Sequence, residues 1–144
     1  MLTTLDIRRL LRGNSLFGGV FPVDRLPLIT RRPVSVIINL DPSYKEGSHW
    51  VAVNFDKNGY AFYFDSFGRK PEGHILTFIE RFAPRGYDYS KEKLQDNYST
   101  SCGYFAILFV LLSNDRNRFF SLFQKCKTEK NEQKLLKIIK NFID

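Results

Sequence analysis

Four residues of this chain have the types, and stand in the order, that thiol chemistry needs. Cys102 opens the apolar run Gly103-Tyr104-Phe105-Ala106-Ile107-Leu108. A free thiol with a pKa near 8.5 is only a few per cent ionised at neutral pH, so a reactive one needs a base or a field that favours the thiolate. The N-terminus of a helix provides such a field, about half a positive charge with unpaired N–H groups, and the run after Cys102 reads as a helix. Cysteine is also among the residues most often buried, so packing is the competing role for this thiol.

A base has to come from histidine, and the chain has two. His49 opens the stretch His49 to Phe55, and Asp65 lies near the end of the stretch Tyr60 to Ser66. Between them Asp56-Lys57-Asn58-Gly59 contains an Asn-Gly pair, which suits a tight β-hairpin. Folding the hairpin there sets His49 and Asp65 opposite or one diagonal step apart. The carboxylate can then hold the imidazole in one tautomer and stabilise the imidazolium. His74 follows Gly73 with no acid placed to orient it and reads as a surface residue. An acyl-transfer site also needs donors for the oxyanion, each worth on the order of 100- to 1,000-fold. The backbone N–H of Cys102 is one, and the side-chain amide of Gln95, seven residues upstream across a polar loop, is the second candidate. Trp50, next to the base, is read as lining a substrate cleft, with plain core packing as its alternative. Gly103 is read as leaving room for a substrate backbone.

The elements that must position these groups follow from periodicity. Thr3 or Thr4 can cap a short helix in which Leu5, Leu10 and Leu11 recur, stopped by Gly13. The segment Leu16 to Pro27 mixes turn residues with large apolar ones and reads as a loop pinned to the body of the protein. Val34 to Leu40, between Pro33 and Asp41-Pro42, reads as a buried strand. Gly73 to Phe82 places Ile75, Phe78, Ile79 and Phe82 on one helical face, and Tyr87 to Leu94 adds a further strand. The helix from Cys102 through Leu112 is apolar on nearly every side and is expected to be central. Two amphipathic helices close the chain, near Arg116 to Lys125, with Cys126 packing beside it, and from Glu129 to Phe142. In the last, Leu135, Ile138, Ile139 and Phe142 face inward and Lys130, Lys134, Lys137 and Lys140 outward. The expected fold is α+β over a single domain, 1–144: a small, mainly antiparallel sheet, a central buried helix carrying the nucleophile at its N-terminus, and further helices packed around it.

Composition agrees with this. The 144 residues are 43% hydrophobic and 26% charged, with 14 Phe and 7 Tyr, and a chain this long buries roughly 70% of its unfolded surface. No run approaches the roughly 18 apolar residues that span a bilayer, so no membrane association is expected. Asp6, Arg8 and Arg9 stand where a signal peptide has its apolar stretch, which predicts a protein that is not secreted. Two cysteines are too few for a disulfide scaffold. No metal site is evident. The net charge of +7, with Arg8, Arg9, Arg12, Arg31, Arg32, Lys130, Lys134 and Lys137, points to acidic partners such as DNA.

His49-Trp50, then Asp65 within Tyr63-Phe64-Asp65-Ser66-Phe67-Gly68, then Gln95, then Cys102-Gly103-Tyr104-Phe105 resembles the adenovirus-type maturation proteases (adenain). Maverick/Polinton-type and virophage homologues share the likeness, which extends over Phe17 to Pro27. More distantly the same order resembles the SUMO- and ubiquitin-like-specific cysteine proteases. The resemblance implies a monomeric cysteine endopeptidase with Cys102 as nucleophile, His49 as base, Asp65 orienting it and Gln95 in the oxyanion hole. It implies cleavage of capsid or core precursor polypeptides after Gly-X-Gly or Gly-Gly motifs, in the virion or virus factory, in the nucleus or cytoplasm of a host cell. It also implies stimulation by DNA, with no cofactor required. The adenoviral enzymes take an activating peptide through a disulfide to a cysteine between acid and nucleophile; this chain has none between Asp65 and Cys102, so that mode is not expected. The chain is also shorter at its C-terminus, which implies a smaller surface for cofactors. Two other readings remain open: a deubiquitinase or SUMO-specific protease acting on host conjugates, and a basic nucleic-acid-binding domain.

Overall fold

Residues 2–41 and 49–143 are described in a computed structural model of the chain; Pro42, expected to bound a strand, lies outside them. Among the described residues, helix α1 (Thr4–Leu11) opens on a capping box in which Thr3 and Asp6 satisfy each other's backbone N–H groups. Ile7 and Leu11, one turn apart, point into the core, whereas Leu5 lies on the other face and is 67% exposed.

Five strands form one sheet in the order β1 (Phe17–Pro22), β2 (Val34–Asn39), β3 (Trp50–Phe55), β4 (Tyr60–Phe64) and β5 (Gly86–Tyr89). The centre, β2-β3-β4, is antiparallel, and each edge strand runs parallel to its neighbour. The β3-β4 hairpin turns at the Asn-Gly pair as expected, with Asp56 Oδ1 accepting from the N–H groups of Asn58 and Tyr60. β1 replaces the loop expected over Leu16 to Pro27. Its Gly18-Gly19 pair looks like a turn signal, yet a Cβ at Gly18 would stand 2.6 Å from Val34 Cγ2. Glycine is there because β1 is drawn tightly against β2, and the register shifts between Phe17 and Val20.

Both faces of the central strands are covered. On one face, Ile37, Ala52, Phe62 and Phe64 meet α1, α3 (Cys102–Leu111), α4 (Arg116–Ser121) and α5 (Thr128–Ile143). On the other, Val36, Ile38, Val51, Val53, Phe55 and Tyr63 meet α2 (Gly73–Phe82). Burial on both sides explains why β2 and β3 read as continuous apolar runs rather than alternating ones. α3 is buried along Cys102, Gly103 and Phe105 to Val110. None of the described helices is long and apolar enough to cross a membrane.

Three expectations at the C-terminal end are corrected. α4 stops at Ser121, and Cys126, expected to pack beside that helix, sits in the following turn, exposed, with a positive φ of 64°. Phe142 is 60% exposed because the face of α5 that meets the core ends with Leu135 and Ile139. Of the expected Tyr87 to Leu94, β5 covers only Tyr87 to Tyr89, with Gly86 before them, since the chain leaves the edge of β4 after Ser90, whose N–H still donates to Tyr63 O at 3.0 Å.

The joint between α3 and the sheet is a cluster of phenyl rings. Phe109 stacks on Phe64 at 5.0 Å between centroids and meets Phe119 edge-on at 5.5 Å. Phe109→Ala is therefore expected to lower the unfolding free energy by roughly 3–5 kcal/mol, read from urea denaturation, while Phe142→Ala stays within about 0.5 kcal/mol of the parent.

Candidate active site

His49 immediately precedes β3 and Asp65 immediately follows β4. Continuing the register Ala52↔Phe64 past the strand ends places Phe67 across from His49 and Asp65 two residues away on the same face. The geometry follows that register: His49 Nε2 lies 2.8 Å from Asp65 Oδ1, and the imidazole stacks on Phe67 with centroids 4.8 Å apart and planes 27° off parallel. The diagonal relation expected from the hairpin is the one observed. Asp65 is 1% exposed and held on all sides. Its Oδ1 also accepts from the Phe67 N–H (2.9 Å), its own N–H donates to Ser90 Oγ (3.0 Å), and the Ser90 hydroxyl donates back to its carbonyl (3.1 Å).

Cys102 arrives at the same place from the opposite direction, as the first residue of α3. The Phe105 N–H bonds Ser101 O at 3.1 Å, so the N–H groups of Cys102, Gly103 and Tyr104 have no partner inside the helix. Ser101, at the cap position, does not cap the helix with its side chain; its hydroxyl instead accepts from Ser99 Oγ at 3.0 Å. The positive end of α3 is thus left open beside the sulfur.

These contacts set the charges. Burial pushes the His49 imidazole down, but the hydrogen bond to Asp65, the hydrogen bond with Cys102 and the negative charge of both raise it to about 9. Burial also opposes a thiolate at Cys102. It is outweighed by the hydrogen bond from His49, a backbone hydrogen bond at Trp50, the imidazolium charge and the Gly103 backbone, and the thiol sits below its ordinary value. With Nε2 on Asp65, Nδ1 is the ring nitrogen left for the sulfur. Both shifts run toward a thiolate–imidazolium pair, with the sulfur and the imidazole in hydrogen-bond contact.

Gln95 is fully buried. It lies beyond β5 on a segment tied to Ser66: the Ser66 carbonyl accepts from the Leu94 and Gln95 N–H groups at 2.9 and 3.1 Å. Its side chain accepts from the Ser66 hydroxyl and donates to Ser99 O at 3.0 Å. Helix α5 braces the same segment through the buried Asn131, whose Nδ2 donates to Leu94 O at 3.3 Å.

Trp50 and Gly103 take a different place from the one expected. Trp50 is 3% exposed, its Nε1 donates to Leu2 O at 3.2 Å, and a Cβ at Gly103 would lie 3.0 Å from Leu2 Cδ1 and 3.2 Å from Trp50 Cδ1. The space over Gly103 is filled by Leu2, ahead of the cap of α1, so both positions pack α3 instead of opening onto a cleft.

The basic residues also divide. Arg31 donates to the carbonyls of Ser15 and Phe17, both at 2.9 Å. Arg32 donates to those of Asp56 and Phe82 and lies over the Phe55 ring. These two guanidiniums tie β1 and α2 to the chain before β2. Arg8, Arg9, Arg12, Lys130, Lys134 and Lys137 are exposed, and His74 is exposed as expected. The sequence reading missed Ser66, Ser90 and the stacking of Phe67. Ser66 carried one signal, its place directly after Asp65, whereas Ser90 carried none.

The fold is shared with two solved structures, a protease and ChlaDub1. Over 96% of its length the chain matches the ASFV pS273R protease with a TM-score of 0.66 at 18% identity, covering 66% of that protein. It matches ChlaDub1 from Chlamydia trachomatis over 95% of its length with a TM-score of 0.57 at 17% identity, covering 73% of that chain. In sequence, an alignment 88 positions long, covering 54% of the chain, is 35% identical to "Putative thiol protease R355" of Acanthamoeba polyphaga mimivirus and covers 29% of that protein. The chain thus spans less than a third of that relative's length. No family model matches it.

Asp65→Asn removes the carboxylate charge while keeping the side chain's size. The His49 proton is then lost below pH 9, seen in its NMR titration. The thiol moves the opposite way, to a higher pKa, so the Cys102 alkylation rate at pH 6.5 falls about tenfold or more.

Proposed function

We propose that the protein is a cysteine endopeptidase. The observation that carries the reading is the buried contact of His49 with Asp65 and Cys102 at the open N-terminus of α3. In this reading the Cys102 thiolate attacks the scissile carbonyl and the oxyanion is held by the Cys102 N–H and the Gln95 amide. The His49 imidazolium gives its proton to the leaving amine, then accepts one from the water that hydrolyses the thioester. Asp65 keeps the ring charged and in place. The substrates are capsid or core precursor polypeptides of a virus or virus-like element, cut after Gly-X-Gly or Gly-Gly. Two likenesses support this assignment, in sequence to a mimivirus protein named as a thiol protease and in fold to a viral protease. We further propose that the enzyme needs no metal or disulfide-linked peptide. DNA stimulates it through Arg8, Arg9, Arg12 and the α5 lysines.

The test is to incubate the protein, beside a Cys102→Ala control, with the precursor polypeptides encoded by the same genome and to sequence the new N-termini. Cleavage after glycine by the parent and none by Cys102→Ala is expected. Faster turnover of ubiquitin- or SUMO-fluorophore conjugates than of Gly-X-Gly peptides would replace the viral substrates with host conjugates. Peptide turnover that is unchanged by DNA at low salt would remove the nucleic acid from the proposal.

A further inference from the structure

The residue after the acid has no part in the reaction scheme, yet it makes the most specific contacts that Gln95 has. A carboxamide has one acceptor oxygen and two N–H donors, so its usefulness at an oxyanion depends on which end faces the reacting centre. Ser99 O can only accept and lies 3.0 Å from Gln95 Nε2, which makes that atom the nitrogen. Oε1 then faces Ser66, and the Ser66 hydroxyl donates its only proton to it. Turning the amide over would set two acceptors against each other at Ser99 while Ser66 lost its acceptor. Both side chains are buried, at 1% and 0% exposure, so water does not compensate for such a loss. One of the two Nε2 protons is taken by Ser99, and the second is left to offer.

We infer that Ser66 is a positioning residue that fixes the orientation of the Gln95 amide and so presents its second Nε2 proton to the oxyanion. This rests on the reading of Gln95 as an oxyanion donor. The dipeptide Asp65-Ser66 then serves both halves of the site. Asp65 orients the base, and Ser66, through its hydroxyl and through the carbonyl that accepts from the Leu94 and Gln95 N–H groups, orients the donor.

Alkylation of a thiolate develops no oxyanion, whereas peptide cleavage does, and this separates positioning from general structure. With a glycine-containing reporter peptide, Ser66→Ala is expected to lower kcat about tenfold or more. KM and the rate and pH dependence of Cys102 alkylation by iodoacetamide should be unchanged. Ser66→Cys, of similar size with a weak S–H donor, should retain more kcat than Ser66→Ala. Gln95→Ala should lower kcat about 100-fold, and the double variant Ser66→Ala/Gln95→Ala should be no slower than Gln95→Ala alone. A Ser66→Ala enzyme with parental kcat beside a slow Gln95→Ala enzyme would overturn the inference and leave the role of Gln95 standing. Loss of alkylation in step with kcat would also overturn it, as would a Ser66→Ala chain that does not fold together with a Ser66→Cys enzyme that is slow in both peptide cleavage and alkylation, because Ser66 would then be a structural residue only. A Gln95→Ala enzyme with parental kcat would remove the reading of Gln95 itself.

Discussion

A charged imidazole in a nearly closed site is the constraint around which this protein is arranged. His49 is 8% exposed, and an ion that leaves water without compensation loses several kcal/mol of solvation. Asp65 on one ring nitrogen and the thiolate of Cys102 near the other supply that compensation. Burial alone would keep the imidazole uncharged and the thiol protonated, and the contacts among the three groups act against both.

The architecture can be understood as the means of holding that contact. His49 and Asp65 belong to one hairpin, so their separation is set by a register that a slip of one residue would turn to opposite faces. Cys102 belongs to another element and reaches them because α3 is wedged between the sheet and helices α1, α4 and α5. The rings of Phe62, Phe64, Phe109 and Phe119 fix the depth at which the helix lies. Leu2 and Trp50 close over Gly103 and keep the first turn of the helix in place. A close-packed joint is stiff rather than compliant, and it places the sulfur more narrowly than a loop could.

The same economy extends to the loop between β5 and α3. Gln95 is held by Ser66 and Ser99, and the segment before it by Asn131 of α5. The adjacent residues Asp65 and Ser66 each orient a different side chain, so the relative placement of base and amide depends on one peptide unit and not on two independent loops.

The parts legible in the sequence were those written locally or in fixed separations. Asn58-Gly59 marks the turn, and counting outward from it brings His49 to Asp65. The unbroken apolar run marks α3, and its first residue is the thiol. The period of Gly73 to Phe82 marks α2. Tertiary structure alone decided the rest, because those outcomes depend on partners distant in the chain. Gly18-Gly19 is a tight strand and not a turn because Val34 lies against it. Arg31 and Arg32 bind carbonyls of β1, α2 and the hairpin turn, which nothing in the local sequence announces. Trp50 and Gly103 are packed because Leu2 returns over them. Ser66 acts on Gln95 across a gap of 29 residues. Which residues could react was settled by type and order along the chain. Whether they share one buried site, with the charges that implies, was settled by long-range packing, since a hydrogen bond and a desolvated charge depend on distance in space.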